Sequence, residues 1–249
     1  MARAALHRGL SWRSAAVLEV RPETARASRL VLDPPDWPGH RPGQHLDVRL
    51  TAPDGYTAQR SYSIASAPEA AHVELIVDRL PDGEVSPYLT EVLRAGDELE
   101  VRGPFGGWFV WQAGMGGPLQ LIAGGSGVVP FLAMLDHHRA AGSDVPIRLL
   151  YSVRSQSEVI RRARLAEPQP SVRVDLALTR EAPPGWTGVT GRVDRTVLSQ
   201  LALPPEAEPQ VFVCGPTGFV DAVADAMIDL GHRSEKIKTE RFGASGGTE

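Results

Sequence analysis

Hydrophobic and polar residues alternate through much of the first half of the chain. Leu46, Val48 and Leu50 are interleaved with His45, Asp47 and Arg49, and Val73, Leu75 and Val77 recur at the same two-residue interval. A period of two marks a half-buried strand. Further strands are predicted over 15–20, 28–33, 57–65 and 98–103. Turn-forming clusters separate them: Pro34-Pro35, Pro42-Gly43, Ala52-Pro53-Asp54-Gly55, Pro81-Asp82-Gly83 and Gly96-Asp97. Six short strands with regular turns predict a six-stranded antiparallel β-barrel. One helix is expected to interrupt it over 87–94, with Pro87 in its first turn.

Residues 111–117, rich in glycine, read as a hinge. Beyond them the rhythm changes. Strands are predicted over 119–123, 146–152, 172–178 and 210–214. Helices are predicted over 130–140, 157–166, 194–201 and 217–230. Strand–helix alternation predicts an α/β parallel sheet covered by helices. The expected domains are therefore 1–112 and 113–249.

Composition narrows the function classes. The chain has 249 residues, 42% hydrophobic and 22% charged, which is globular. A net charge of −4 gives no reason to expect nucleic acid. Cys214 is the single cysteine, so disulfides and a Cys-ligated iron–sulfur cluster are not expected. No metal site is expected either. The longest apolar stretch, 127–135, is far short of the roughly 20 residues of a membrane span. The basic N-terminus lacks the apolar run of a secretory signal, and the default expectation is cytoplasmic.

Gly124-Gly125-Ser126-Gly127-Val128-Val129-Pro130 joins a buried strand to a helix. Such turns bind a nucleotide diphosphate, because helix-start N–H groups point outward and glycines allow close approach. The turn is not a nucleophile elbow, since Val128 stands where G-x-S-x-G needs glycine, and no Gly-Lys-Ser/Thr follows. No carboxylate ends the second strand of this half; Ser152 and Arg154 stand there, with Arg161, Arg162 and Arg180 in adjoining segments. Arginine suits a 2′-phosphate, which tilts the expectation from NADH toward NADPH. The alternative for Arg161 and Arg162 is a solvated helix face. Cys214-Gly215-Pro216-Thr217 ends a strand at the crevice edge. His137 and His138, adjacent on a helix, read as surface residues. Phe105, Trp108, Phe109 and Trp111 read as core and hinge packing in preference to partner docking.

The segment Arg60-Ser61-Tyr62-Ser63-Ile64-Ala65-Ser66, followed by Gly83-Glu84-Val85-Ser86, the glycine turn, Cys214-Gly215-Pro216 and Glu240-Arg241-Phe242-Gly243, resembles the ferredoxin–NADP⁺ reductase superfamily. The likeness covers roughly 13–243 and is to its oxygenase-reductase and flavohaemoglobin-reductase branch. It implies a FAD-binding barrel and an NAD(P)-binding sheet, with the C-terminal segment returning to the flavin. By that resemblance Arg60 would hold the flavin diphosphate, Tyr62 would stack on the ring and Ser63 would face N5. Ser61, Ile64, Val77, Arg79, Gly83, Val85 and Ser86 would line the same dinucleotide. Gly125, Ser126, Gly127, Ser152, Arg154, Arg180, Gly215 and Pro216 would take NAD(P)H. Cys214 and Glu240 would sit near the nicotinamide, and Phe242 would cover the flavin. The implied activity is hydride transfer from NAD(P)H to FAD. Electrons would then pass to a separate acceptor: a ferredoxin, an oxygenase, a cytochrome, a molybdenum enzyme or a small molecule. Two alternatives stay open, a free-flavin reductase and an electron-transfer subunit that does not oxidise NAD(P)H.

Overall fold

The computed structural model describes residues 11–242. Six antiparallel strands form the first sheet: β1 (Arg13–Pro22), β2 (Ala27–Asp33), β3 (His45–Thr51), β4 (Thr57–Ser63), β5 (Val73–Asp78) and β6 (Glu98–Phe105). Their spatial order is β4-β3-β6-β1-β2-β5. A bridge between Ile64 and Leu75 brings the two edge strands together and closes the barrel. The alternating apolar set fills it: Leu30, Leu32, Leu46, Val48, Leu75 and Val77 are fully buried. The expected helix is shorter and wider than an α-helix, spanning Tyr88–Val92, with Leu93 N–H bonded to Tyr88 O. Thr90 Oγ1 donates to Ser86 O at 2.8 Å, competing for the carbonyl an α-turn would use. Leu89 and Leu93 both reach the barrel core.

The second sheet has β7 (Leu119–Gly124), β8 (Ile147–Ser155), β9 (Val172–Glu181), β10 (Val189–Thr190), β11 (Gln210–Pro216) and β12 (Ile237–Phe242), in the order β10-β9-β8-β7-β11-β12. All pairs are parallel. Every residue of β7 is buried, as both faces of a central parallel strand are covered. The connecting helices are α1 (Val129–Ala140), α2 (Arg162–Ala166), α3 (Arg195–Leu201) and α4 (Thr217–Asp229). The chain runs from β7 to β8 on one side and returns to β11 on the other. The crevice beyond β7 and β11 is therefore the topological switch point, where open α/β sheets place ligands. Strands β10 and β12 lie outside the predicted set. The helix predicted over 157–166 is reduced to α2, because Arg161 takes a left-handed φ of 55°.

The seam between the sheets is packed. Ala27, Ala65 and Ile76 of the barrel share one core with Phe109, Trp111 and the apolar face of β7 and β8. The predicted hinge is anchored by Trp111, which is fully buried and donates from Nε1 to Gly116 O at 2.7 Å. His137 and His138 are buried beside it, contrary to the surface expectation. Helix α1 is wedged between sheet and barrel, so adjacent residues both point inward. His137 Nε2 accepts from Ala113 N–H, leaving Nδ1 to donate to Glu69 of the barrel at 2.7 Å. His138 donates from Nε2 to Val145 O and accepts from Gln169. Among the described residues no helix is long and apolar enough to cross a membrane.

Arg161 is not a solvated helix arginine. Its N–H donates to Glu23 at 2.7 Å and its guanidinium to Glu74 at 2.8 Å, both on the barrel, while Arg29 holds the other oxygen of Glu74. The Arg161–Glu74 pair is mostly buried, so truncation leaves one Glu74 oxygen without its partner while Arg29 keeps the other. Arg161→Ala is expected to lower unfolding free energy by about 1–2 kcal/mol in a urea melt. An unchanged midpoint would remove this bridge from the account of domain docking.

Candidate active site in the interdomain cleft

The glycine turn is built by steric necessity. A Cβ on Gly127 would lie 2.2 Å from Cys214 O, and one on Gly124 or Gly215 would lie 2.8 Å from the Phe219 ring. The turn can settle on β11 only without side chains there. Gly125 has a φ of 56°, the left-handed region glycine occupies freely. The turn, Gly125–Val128, feeds straight into α1, whose first N–H groups lack intrahelical partners. Facing it is the end of β5. Gly125 and Ser126 share a small crevice of about 30 Å³ with Arg26 and Asp78 of the barrel and Glu158 of the turn after β8. Burial raises the Asp78 carboxyl above its ordinary range.

Ser152 is buried at the end of β8, beside Gly124. A bulge between β8 and β9 sets Arg154 and Arg180 on neighbouring strand ends. Both are exposed, and neither makes an ion pair among the described residues. Pro216 is exposed and caps α4.

On the barrel, Arg60 pairs with Glu84 at 2.8 Å, and Tyr56 donates to the other Glu84 oxygen. The Gly83–Ser86 loop is thereby drawn onto β4. Ser86 Oγ accepts from Leu80 N–H at 3.0 Å, and a Cβ on Gly83 would crowd that hydroxyl. Arg79 is paired with Glu91. Ile64, Val77 and Val85 bury their side chains in the barrel, so each can offer a cofactor its main chain alone. Ser61 faces away from Arg60, donating to Asp47, which Arg102 also holds. Tyr62 is half-buried, and burial pushes its phenol up to about 12, so it stays neutral.

Three predicted residues converge. Ser63 is the cross-strand partner of His45 on the barrel edge. Cys214 is the register partner of Glu240 on the sheet edge. His45 Nδ1 lies 3.8 Å from Glu240 Oε1 and links the two edges across the cleft. Cys214 is 2% exposed, and burial and the nearby Glu240 push its thiol up, so it is no nucleophile. Burial pushes Glu240 up to about 7. Its Oε2 is buried with no hydrogen-bond partner. An orphaned carboxyl oxygen at a cleft edge, a hydroxyl opposite and a neutral phenol nearby fit a flat ring with polar edges.

His45 escaped the sequence reading. It appears there as the polar member of an alternation, and its pairing with Ser63 is visible once register is known. Phe242 ends β12 and is 37% exposed. The packing expectation holds for Phe109 and Trp111, which are buried. It fails for Trp108, which is 62% exposed with the Lys238 ammonium over its ring. The described residues contain no cluster suited to a metal ion.

Comparison with known proteins places the fold in a family. Residues 19–110 match the family described as oxidoreductase FAD-binding domain, and 121–225 match the oxidoreductase NAD-binding domain. A flavohemoprotein of Bordetella pertussis is 32% identical over 94% of this chain and 61% of its own length. A glycine betaine monooxygenase reductase subunit of Chromohalobacter salexigens is 32% identical over 82% of this chain and 56% of its length. The chain thus spans about three fifths of these curated relatives. The flavohem-like FAD/NAD binding domain of nitric oxide dioxygenase from Vibrio cholerae superposes with a TM-score of 0.82 at 26% identity, covering 93% of this chain and 98% of that one. The chain belongs to the ferredoxin–NADP⁺ reductase superfamily, as an oxidoreductase with a FAD-binding barrel followed by an NAD(P)-binding sheet.

Proposed function

We propose that the chain is a flavoprotein reductase that moves electrons from NAD(P)H through FAD to a separate acceptor. The observation that carries this reading is the meeting of Ser63 and His45 with Cys214 and Glu240 across one cleft. When bound, FAD would supply the redox chemistry, accepting hydride at N5 from nicotinamide C4 and releasing electrons onward. The chain's own part is placement and exclusion of water.

On the barrel, Arg60 would exchange Glu84 for the flavin diphosphate, with the main chain of Gly83, Val85 and Ser86 beside it. Tyr62 would pack on the ring, and Ser63 would donate to its polar edge. Ser61, Ile64, Val77 and Arg79 would flank the dinucleotide. Gly125, Ser126 and Gly127 would receive the nucleotide diphosphate, and Gly215 and Pro216 would bound the nicotinamide side with Cys214. Phe242 would shield the flavin face. Exposed Arg154 and Arg180, beside Ser152, support NADPH over NADH. The monooxygenase reductase subunit among the relatives supports an acceptor on another polypeptide.

Anaerobic mixing tests the reading: FAD-loaded protein should lose its visible flavin absorbance on adding NADPH, and more slowly with NADH. A flavin that stays oxidised with both nucleotides overturns it. Retention of FAD through gel filtration separates this reductase from one that releases free flavin. Arg60→Ala is expected to weaken FAD binding by about 10- to 100-fold by fluorescence titration, the worth of one charge-assisted hydrogen-bond pair. Gly127→Ala should abolish nucleotide binding and cost about 2–3 kcal/mol of stability, because its methyl group meets the Cys214 carbonyl.

A further inference from the structure

Glu240 is oddly placed for a structural carboxylate. It lies on β12, yet the ring nitrogen of His45 on the barrel comes within 3.8 Å of it. Most carboxylates in this chain's ion pairs face arginine or lysine; Glu240 faces an imidazole at 3.8 Å and leaves Oε2 unpartnered. Surrounding groups do not compensate it. Ser63 across from His45 and Cys214 across from Glu240 are uncharged. Phe105 pairs with His45 on the barrel side. Asp47, two residues on along the same face of β3, is taken by Arg102. Lys238, on the same face of β12, is drawn over the rings of Trp108 and Phe212.

We propose that Glu240 and His45 form a charge switch that lets the cleft discriminate the oxidised, cationic nicotinamide ring from the reduced, neutral one. This inference rests on the nucleotide reading above. An ionised Glu240 attracts a cationic ring and favours the oxidised nucleotide; a protonated Glu240 does not. His45 is a positioning residue: its ring nitrogen faces the carboxyl across the cleft at 3.8 Å and stabilises the ionised form through space. Burial lowers His45 below its ordinary range while raising Glu240 toward neutrality. Near neutral pH the pair therefore gains or loses one proton chiefly as Glu240 and holds His45 neutral. The sign follows: the preference for oxidised over reduced nucleotide rises as pH rises.

The test measures binding to the FAD-loaded protein by calorimetry, using NAD(P)⁺ and the unreactive tetrahydropyridine analogue of the reduced nucleotide. From about pH 6 to pH 8, around the Glu240 midpoint near 7, the ratio of the two affinities should move about tenfold toward NAD(P)⁺, within the range of coupled charge effects. Glu240→Gln, nearly isosteric, should give a flat ratio. His45→Phe should shift the midpoint to higher pH, since the carboxylate loses the polar ring nitrogen nearest it. A second readout needs no flavin: in FAD-free protein the His45 ring proton should show an NMR titration step near pH 7 that vanishes in Glu240→Gln. If both nucleotides bind and the wild-type ratio stays flat, the switch is overturned and the reductase reading stands. If neither binds at any pH, the nucleotide reading itself falls.

Discussion

Everything in the cleft depends on how the two sheets are locked together, and that lock centres on one buried indole. Trp111 sits between barrel and sheet with its ring against His137 and His138 and its nitrogen bonded to Gly116 O. An indole N–H so buried would be costly unpaired, so the loop that satisfies it cannot wander. Phe109 extends the contact, stacking on Phe131 and meeting Phe212 edge-on. Around this apolar centre, His137 to Glu69 and Arg161 to Glu23 and Glu74 add directional ties. Dense packing sets the distance between domains, and polar ties set their rotation. The 3.8 Å approach of His45 to Glu240 is a by-product of that docking.

Glu240 apart, the cleft walls are electrostatically quiet. Burial keeps the Cys214 thiol and the Tyr62 phenol protonated, and it lowers the His45 imidazole toward its neutral form. Charged groups stand at the two ends: Arg60 with Glu84 on the barrel rim, Arg154 and Arg180 at the far strand ends. Such a division suits a ligand whose phosphates carry most of its charge and whose reactive ring carries little. The rings would meet in the low-dielectric middle, and the diphosphates would meet arginines and N–H groups at the periphery.

Much of this was legible in the sequence, for reasons that differ by element. Barrel strands declare themselves because one face is core and the other is wet, which writes a period of two into 46–50 and 73–77. The nucleotide turn declares itself because Gly124, Gly127 and Gly215 admit no Cβ. Strand β12 stayed hidden because it is a parallel edge whose burial does not alternate. The histidines of α1 were misread because facing rules assume one wet side, and Val129 through Leu135 are all buried. Arg161 and Arg154 look alike in sequence, yet one clamps the barrel and the other stays free for solvent. Cross-strand register separates His45 from an ordinary polar strand residue, and no single sequence prints register.

The Arg60–Glu84 pair carries one more consequence. The Arg60 guanidinium is already paired, and its counter-ion belongs to the Gly83–Ser86 loop. On the binding proposed above, a dinucleotide would swap one anion for another there, so few dissolved ions would be displaced and the affinity should depend weakly on salt. Tyr56 also donates to Glu84, which would tether the carboxylate once Arg60 is taken from it. The loop can yield the arginine without leaving the surface, and the same tether shortens the path back when the ligand departs.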